Sequence, residues 1–447
     1  MRKNAQKTRK IQHQKEHTMP NLPHSNYAPE TLALHAGYNY DKERTLSVPI
    51  YQSAAYSFES LSQAAARFGL QELGNIYSRL TSPTCDILAR RLADIEGGSF
   101  GAVASSGSAA LFYAFANLAQ NGDNIIYANK IYGGTQTLLV HTLKRFGIEA
   151  RCFDVDDLST LEPLIDSRTK AIFFESLSNP QISIPDVEGI VSIARSHKIA
   201  TICDNTVGTP FLFRGFEYGI DIIVYSLTKY INGAGSGLGG AIIEGQSLSP
   251  LLKDNPRYPA FNTPDESYHG LIYSSLPLPF FSIRIITEWL RNIGSTLAPQ
   301  VAWIHLQGLE TLPLRIKKHS ENALKVARFL ESHPKIKKVD CPALESSPYH
   351  SRVKKYFADS LSSGLFSFEA QSYEDALKIC DNLTLFSITA NIGDSKSLII
   401  HPASTTHSQL SHEELKSAGI NPADVRISVG LENADDLIAD LKRAIEL

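Results

Sequence analysis

The sequence has no run of about 18 uncharged apolar residues; its most apolar stretches, such as Ile220 to Leu227, are only the length of a strand, so a membrane-spanning helix is not expected. It has few cysteines. Cys85, Cys152, Cys203, Cys341 and Cys380 are odd in number and widely spaced, with no CxxC pair and no Cys/His cluster. That usage fits free, buried thiols in a reducing compartment and disfavours zinc or an iron-sulfur cluster. There is no strong charge of one sign either: the net charge of -3 provides no field to gather nucleic acid or an anionic membrane. No internal repeat or low-complexity tract is present. The one asymmetry is at the start, where residues 1–18 carry six Lys/Arg and one Glu and leave 37 basic against 45 acidic residues in the rest. That segment lacks the apolar run of a secretory signal and the serine of a transit peptide, so it reads as a disordered basic tail on a cytoplasmic protein.

With 447 residues the chain can bury a large core in two or three units of roughly 150 residues. Residues 19–81 are broken by Pro20, Pro23, Pro29 and Pro49 and read as an arm that needs another surface to lie on. From Pro83 a helical pattern runs to the Gly97-Gly98 stop. Short apolar strands then alternate with helical stretches: Gly101–Ala104, Asn124–Ala128, Ala171–Glu175, Ile199–Cys203, Asp221–Tyr225 and Gly240–Ile243 as strands, Val187–Ser196 as a helix. This rhythm predicts an α/β fold, a mostly parallel sheet with helices on both faces and ligands beyond the carboxyl ends of the strands. Residues 250–275 read as a long irregular insertion. A helix starting near Ala298, with Leu306, Leu309, Leu312 and Leu314 among its apolar positions, is expected to break at Pro313. A smaller α+β domain follows, so the expected division is a tail at 1–18, an arm at 19–81, a ligand-binding domain at 82–297 and a C-terminal domain at 298–447.

Four strand endings carry chemistry. Ser226-Leu227-Thr228-Lys229 sets a lysine just past an apolar strand, among hydroxyls and before the glycine-rich INGAGSGLGG. A lysine desolvated there loses basicity and can form a Schiff base with an aldehyde, although a lysine after a strand is often only a surface residue. Asp204 ends a buried strand, where a carboxylate is costly unless a cation such as a protonated pyridine meets it; its bland alternative is a helix cap. Ser105-Ser106-Gly107-Ser108 ends a strand and opens a helix, a ready anion site, and Tyr132-Gly133-Gly134 repeats the arrangement with an aromatic ring. An imine lysine, an acid, a phosphate cradle and an aromatic face form the set that pyridoxal phosphate needs.

On these residues, and on Leu34-His35-Ala36-Gly37, Tyr77-Ser78-Arg79, the ESLSNP run and Ser428-Val429-Gly430-Leu431-Glu432, the sequence resembles the Cys/Met-metabolism family of fold type I pyridoxal-phosphate enzymes, most closely its O-acetylhomoserine sulfhydrylase branch. The resemblance covers nearly the whole chain. It implies Lys229 as the Schiff-base lysine, Asp204 as partner of the pyridine nitrogen, and Tyr132 as the stacked ring, active also in proton transfer. Gly107 and Ser108 would give amides, and Ser226 and Thr228 hydroxyls, to the phosphate. Tyr77 and Arg79 would reach the phosphate of a neighbouring subunit, Asn179 would lie near the cofactor and substrate, and Arg426 with Ser397 would bind the substrate carboxylate. A homo-oligomer follows, a dimer of active dimers, with no metal and no nucleic-acid or membrane partner.

The implied activity is replacement of the γ-acetate of O-acetylhomoserine by a sulfur nucleophile to give homocysteine, in methionine biosynthesis. The sulfur donor, sulfide or a protein-borne sulfur, is left open. Gly134, where methionine γ-lyases resemble one another in having cysteine, and the insertion ending Ser267-Tyr268-His269-Gly270 favour the sulfhydrylase branch over cystathionine γ-synthase or methionine γ-lyase. The chain departs from the family pattern at Ser108, usually Met, at Leu177, usually Pro, and at Ala234, often His.

Overall fold

The computed structural model describes residues 27–406 and 421–447, so the basic tail at 1–18 and the first residues of the arm lie outside the described residues. Seven strands form the large sheet: β1 (Phe100–Ala104), β2 (Asn124–Ala128), β3 (Glu149–Phe153), β4 (Thr169–Glu175), β5 (Ala200–Asp204), β6 (Ile222–Ser226) and β7 (Gly240–Glu244), in the spatial order β1-β7-β6-β5-β4-β2-β3. β3, β2, β4, β5 and β6 run parallel, and β7 is antiparallel to both β6 and β1. Hence β1 points the same way as the parallel set, and the carboxyl ends of β1, β2, β4, β5 and β6 share one edge. The parallel core strands are buried on both faces, which is why TKAIFFE and NIIYA read as unbroken apolar runs. β3 escaped the sequence reading because it is the edge strand: EARCF is half solvated and carries Glu149 and Arg151, so it has no apolar run to read. The same edge leaves Cys152 exposed, whereas the other four thiols are buried, and all five are free.

Local sequence fixes the helices that flank the sheet. Pro83 opens the Pro83–Glu96 helix, and Gly97 closes it in the left-handed conformation. Ser106 caps the Gly107–Leu118 helix by accepting from the amide of Ala109 at 3.1 Å. Residues 250–275 are not irregular filler: Tyr258, Phe261 and Tyr273 are fully buried, and the Tyr258 hydroxyl donates to the carbonyl of Lys170 while accepting from the amide of Ala200, each at 2.8 Å. The insertion thereby pins β4 to β5 near their amino ends.

The helix expected to break at Pro313 instead runs unbroken from Pro299 to Ser332. Proline removes one amide and crowds the preceding turn. Arg315 bridges the disturbed turn, its Nη2 donating to the carbonyl of Gly308 at 2.6 Å, while its Nη1 reaches the carbonyl of Tyr230 at 2.8 Å. Leu314, expected on the apolar face, is exposed, while Leu306, Leu309, Leu312 and Ile316 are buried. The amino-terminal half of this helix joins the core of the large sheet, and its other half, from Ala323 to Leu330, joins a second core. That core belongs to a five-stranded sheet of β8 (Ile336–Asp340), β9 (Leu365–Ala370), β10 (Ser387–Ile388), β11 (Leu398–Ile400) and β12 (Asp424–Ser428), in the order β10-β11-β12-β9-β8. Helices Tyr373–Asp381 and Ala434–Glu446 pack on it. Among the described residues no helix is long and apolar enough to cross a membrane.

Between residues 27 and 81 two behaviours appear. The Pro29–His35 helix buries Leu32 and Ala33 in this chain's own core, and the carbonyl of Ala36 accepts from Arg91 Nε at 2.8 Å. Beyond it Leu46, Ile50, Tyr51, Leu61, Phe68, Leu73 and Tyr77 are exposed. A run of large apolar side chains left in water is the mark of a surface that something else covers.

Candidate active site

Where the carboxyl ends of the strands meet the second sheet lies a cavity of about 550 Å³. Gly107, Ser108, Tyr132, Asn179, Asp204, Ser226, Thr228 and Lys229 line it, and Arg426 joins them from β12. The chain thus gathers residues from Gly107 to Arg426, because strand direction brings the endings of the large sheet to one edge and β12 of the second sheet faces that edge.

Lys229 donates from Nζ to Asn391 Oδ1 at 2.6 Å. Burial, and after it the nearby Arg426, pushes its ammonium down to about 8, so a large share of it is a neutral amine at mildly alkaline pH. Arg426 is 7% exposed; its Nη1 donates to Asn179 Oδ1 at 3.1 Å and its Nη2 to the carbonyl of Asn391 at 3.2 Å. These acceptors are neutral, and burial pulls the guanidinium down to about 10. A buried guanidinium without a carboxylate partner among the described residues is a grip waiting for an anion.

Asp204 lines the same cavity from the end of β5. Burial raises its carboxyl, its Oδ1 accepts from the amide of Thr206 at 2.9 Å, and no cationic side chain pairs with it among the described residues. At the amino end of the Gly107–Leu118 helix, Ser106 serves the amides of Ala109 and Ala110, which leaves those of Gly107 and Ser108 for a ligand. Position 107 must be glycine, since a Cβ there would sit 2.7 Å from Ser226 Cβ. The Tyr132 ring, 51% exposed, overhangs the cavity, and a Cβ at Gly134 would lie 2.5 Å from its Cε1. Any larger residue at 134 would therefore shift the ring. A cleft with an acid lacking a cation, free helix-end amides beside hydroxyls, a depressed lysine and an aromatic overhang fits pyridoxal phosphate: the acid suits the pyridine nitrogen, the amides suit the phosphate and the lysine suits the aldehyde.

Three of the expected residues lie elsewhere. Tyr77 and Arg79 do not line this cavity; Tyr77 is 42% exposed, with the Arg79 guanidinium 5.3 Å from its ring centroid and bonded to the carbonyl of Arg291. Ser397 is fully buried behind the wall, where its Oγ donates to Glu432 Oε2 and accepts from the amide of Gly430, each at 2.9 Å. Two residues escaped the sequence reading. Asn391 touches both Lys229 and Arg426 yet sits in a loop with no periodicity to flag it. Glu175 ends β4 as Asp204 ends β5, directly opposite it in register, and that shared position was the available signal.

Comparison with known proteins agrees with this geometry. The family described as Cys/Met metabolism PLP-dependent enzyme matches residues 30–446. The chain is 41% identical to an O-acetyl-L-homoserine sulfhydrylase of Leptospira meyeri, over 94% of this chain and 97% of that one, and 42% identical to a Corynebacterium glutamicum protein of the same description, over 95% and 99%. Its fold matches a Campylobacter jejuni structure assigned as an O-acetylhomoserine (thiol)-lyase, with 65% identity, a TM-score of 0.93 and coverage of 94% and 100%; that protein carries a pyridoxyl-lysine phosphate. A cystathionine gamma-lyase from Lactobacillus plantarum matches at 30% identity and a TM-score of 0.80, over 94% and 99%. The chain belongs to the Cys/Met-metabolism family of pyridoxal-phosphate-dependent enzymes.

Proposed function

We infer that this enzyme replaces the γ-acetate of O-acetylhomoserine with a sulfur nucleophile, forming homocysteine. The observation that carries this is the juxtaposition of Lys229 and Arg426 on opposite groups of one residue, Asn391, in a cavity open to a small amino-acid ester. Arg426 grips the α-carboxylate and so sets Cα near Lys229. When bound, pyridoxal phosphate would supply the electron sink that makes proton loss at Cα feasible. Lys229 takes and returns the proton at Cα, and Asp204 keeps the ring nitrogen protonated. Tyr132 stacks on the ring and serves the proton changes towards Cγ. The Gly107 and Ser108 amides with the Ser226 and Thr228 hydroxyls hold the phosphate, and Asn179 orients Arg426 through its Oδ1. Ser397 supports the carboxylate site from behind by holding the Gly430 and Glu432 segment that follows β12. The fit of Gly134 beneath the Tyr132 ring favours γ-replacement over the lyases that resemble each other in a cysteine there.

The test is product analysis with O-acetylhomoserine, O-succinylhomoserine and methionine, each with and without sulfide. Homocysteine from the acetyl ester and sulfide is expected as the fastest product. Failure to form it, with ready release of 2-oxobutanoate from methionine, would sink this reading.

Of the expected arm, the stretch from Leu46 to Tyr77 lies on a neighbouring subunit, whereas the Pro29–His35 helix packs on its own chain, and the two chains share their sites. The exposed apolar run from Leu46 to Tyr77, and the placement of Tyr77 and Arg79 away from their own cavity, support this. Two such dimers pair as a tetramer. The large unit spans 82–297 and the small one 298–447, the latter lending the first half of its Pro299–Ser332 helix to the large unit's core, and the five free thiols suit a reducing cytoplasm. Neither Arg79→Ala nor Lys229→Ala homodimers should be active. Mixing the two chains should return about a quarter of wild-type activity, since each heterodimer rebuilds one native site. Mixtures as inactive as the parents would mean that each chain is self-sufficient.

A further inference from the structure

We propose that Glu175 is the positioning residue that sets both walls of the cofactor cleft, its carboxyl holding the backbone amides of Tyr132 and Asn179. The inference rests on the reading that the cavity holds pyridoxal phosphate at Lys229. Glu175 is 6% exposed at the end of β4 and lines the cavity. Its Oε1 accepts from the amide of Tyr132 at 2.7 Å and its Oε2 from that of Asn179 at 3.3 Å. Tyr132 carries the ring that overhangs the cleft, while Asn179 Oδ1 accepts from Arg426. One carboxyl is therefore one bond from the stacking wall and two bonds from the carboxylate grip.

A buried acid is a poor choice for merely filling the end of a strand, because desolvation disfavours it and no cation among the described residues pairs with it. The partner it has is Asp204, its register neighbour on β5. Burial, and then the charge of Asp204, pushes Glu175 well above the usual carboxylate range, so the site disfavours a charge there. What the site uses is the pair of oxygens, each accepting one backbone amide. The position thus calls for acceptors of a particular reach and not for a charge, which a glutamine meets in part and an aspartate, one methylene shorter, does not.

The experiment compares wild type with E175Q, E175D and E175A, after thermal melting has established which variants fold. Each apoprotein is titrated with pyridoxal 5'-phosphate to give a Kd, and the visible circular dichroism of the bound imine is recorded per mole of cofactor, since that signal reports how the ring is held. E175A and E175D should raise the Kd at least tenfold and lower the dichroism by at least half. E175Q should stay within threefold of wild type in both. If E175A does not fold, E175D decides. Unchanged Kd and dichroism in E175D, or E175Q as impaired as E175D, would overturn the proposal. Absence of the imine band from wild-type protein would instead overturn the cofactor reading and this inference with it.

Discussion

Lys229→Ala will leave a folded protein that binds pyridoxal phosphate without forming the lysine imine and that turns over at least about 10⁴-fold more slowly than wild type, because one change removes both the covalent anchor and the proton carrier at Cα. The fold should survive: the Lys229 side chain makes one hydrogen bond, to Asn391, whereas its backbone amide and carbonyl are held by Ser226 and Gly233. A finer outcome comes from pH. Only the neutral amine attacks an aldehyde, and burial together with Arg426 holds this amine at about 8 instead of its ordinary 10.5. The rate at which the apoenzyme combines with the cofactor should therefore climb with pH up to about 8 and flatten above it. Arg426→Gln removes the repelling cation, so the midpoint should move upward. Stopped-flow absorbance reads both. A wild-type midpoint near the ordinary lysine value would mean that the amine is solvated and the cavity open.

The second large effect is expected from Asp204→Asn. Breaking a buried ion pair by removing one partner costs roughly 3–5 kcal/mol, on the order of 10² to 10⁴ in rate or affinity. Asparagine keeps the shape and can still meet the Thr206 amide, but it cannot hold a proton on the ring nitrogen. The apoprotein should respond in the opposite direction. Wild-type Asp204 is half-buried and lies opposite Glu175 in register, and desolvation already raises its carboxyl, so exchanging it for an amide relieves an unfavourable charge. Melting of apo Asp204→Asn is accordingly expected at or above the wild-type temperature while kcat falls. A cofactor analogue with a fixed positive charge on the ring nitrogen should restore part of the lost rate. A variant that loses stability and rate together would assign Asp204 to the scaffold.

The sequence made most of the large sheet legible because parallel strands buried on both faces show themselves as apolar runs, and the site followed because each run ends in a residue with unusual chemistry. Glu175 was hidden by the same logic, since one acidic ending drew attention away from its twin on the next strand. β3, β8, β10 and β11 went unread: β3 and β8 are partly solvated, and β10 and β11 are only two and three residues long. Pro313 does not break its helix because Arg315, two residues on, ties the disturbed turn to the carbonyls of Gly308 and of Tyr230, and a purely local rule cannot see the second of these. Asn391 and the inward face of Ser397 depend on how two sheets meet, and nothing local encodes that.

The loop after Lys229 is gripped from two directions. Arg315 of the long helix holds the carbonyls of Tyr230 and Ile231, and Ser395, in the segment before β11, holds the carbonyl of Gly233 through both its amide and its hydroxyl. The lysine therefore hangs on a frame with struts in both cores, and its spacing from Arg426 is set by the same scaffold that separates the two sheets. A change of a few tenths of an ångström in how the sheets seat against each other would be delivered to the distance between base and carboxylate grip. Arg315, near the middle of that helix, thus belongs to the enzyme's calibration as much as to its stability.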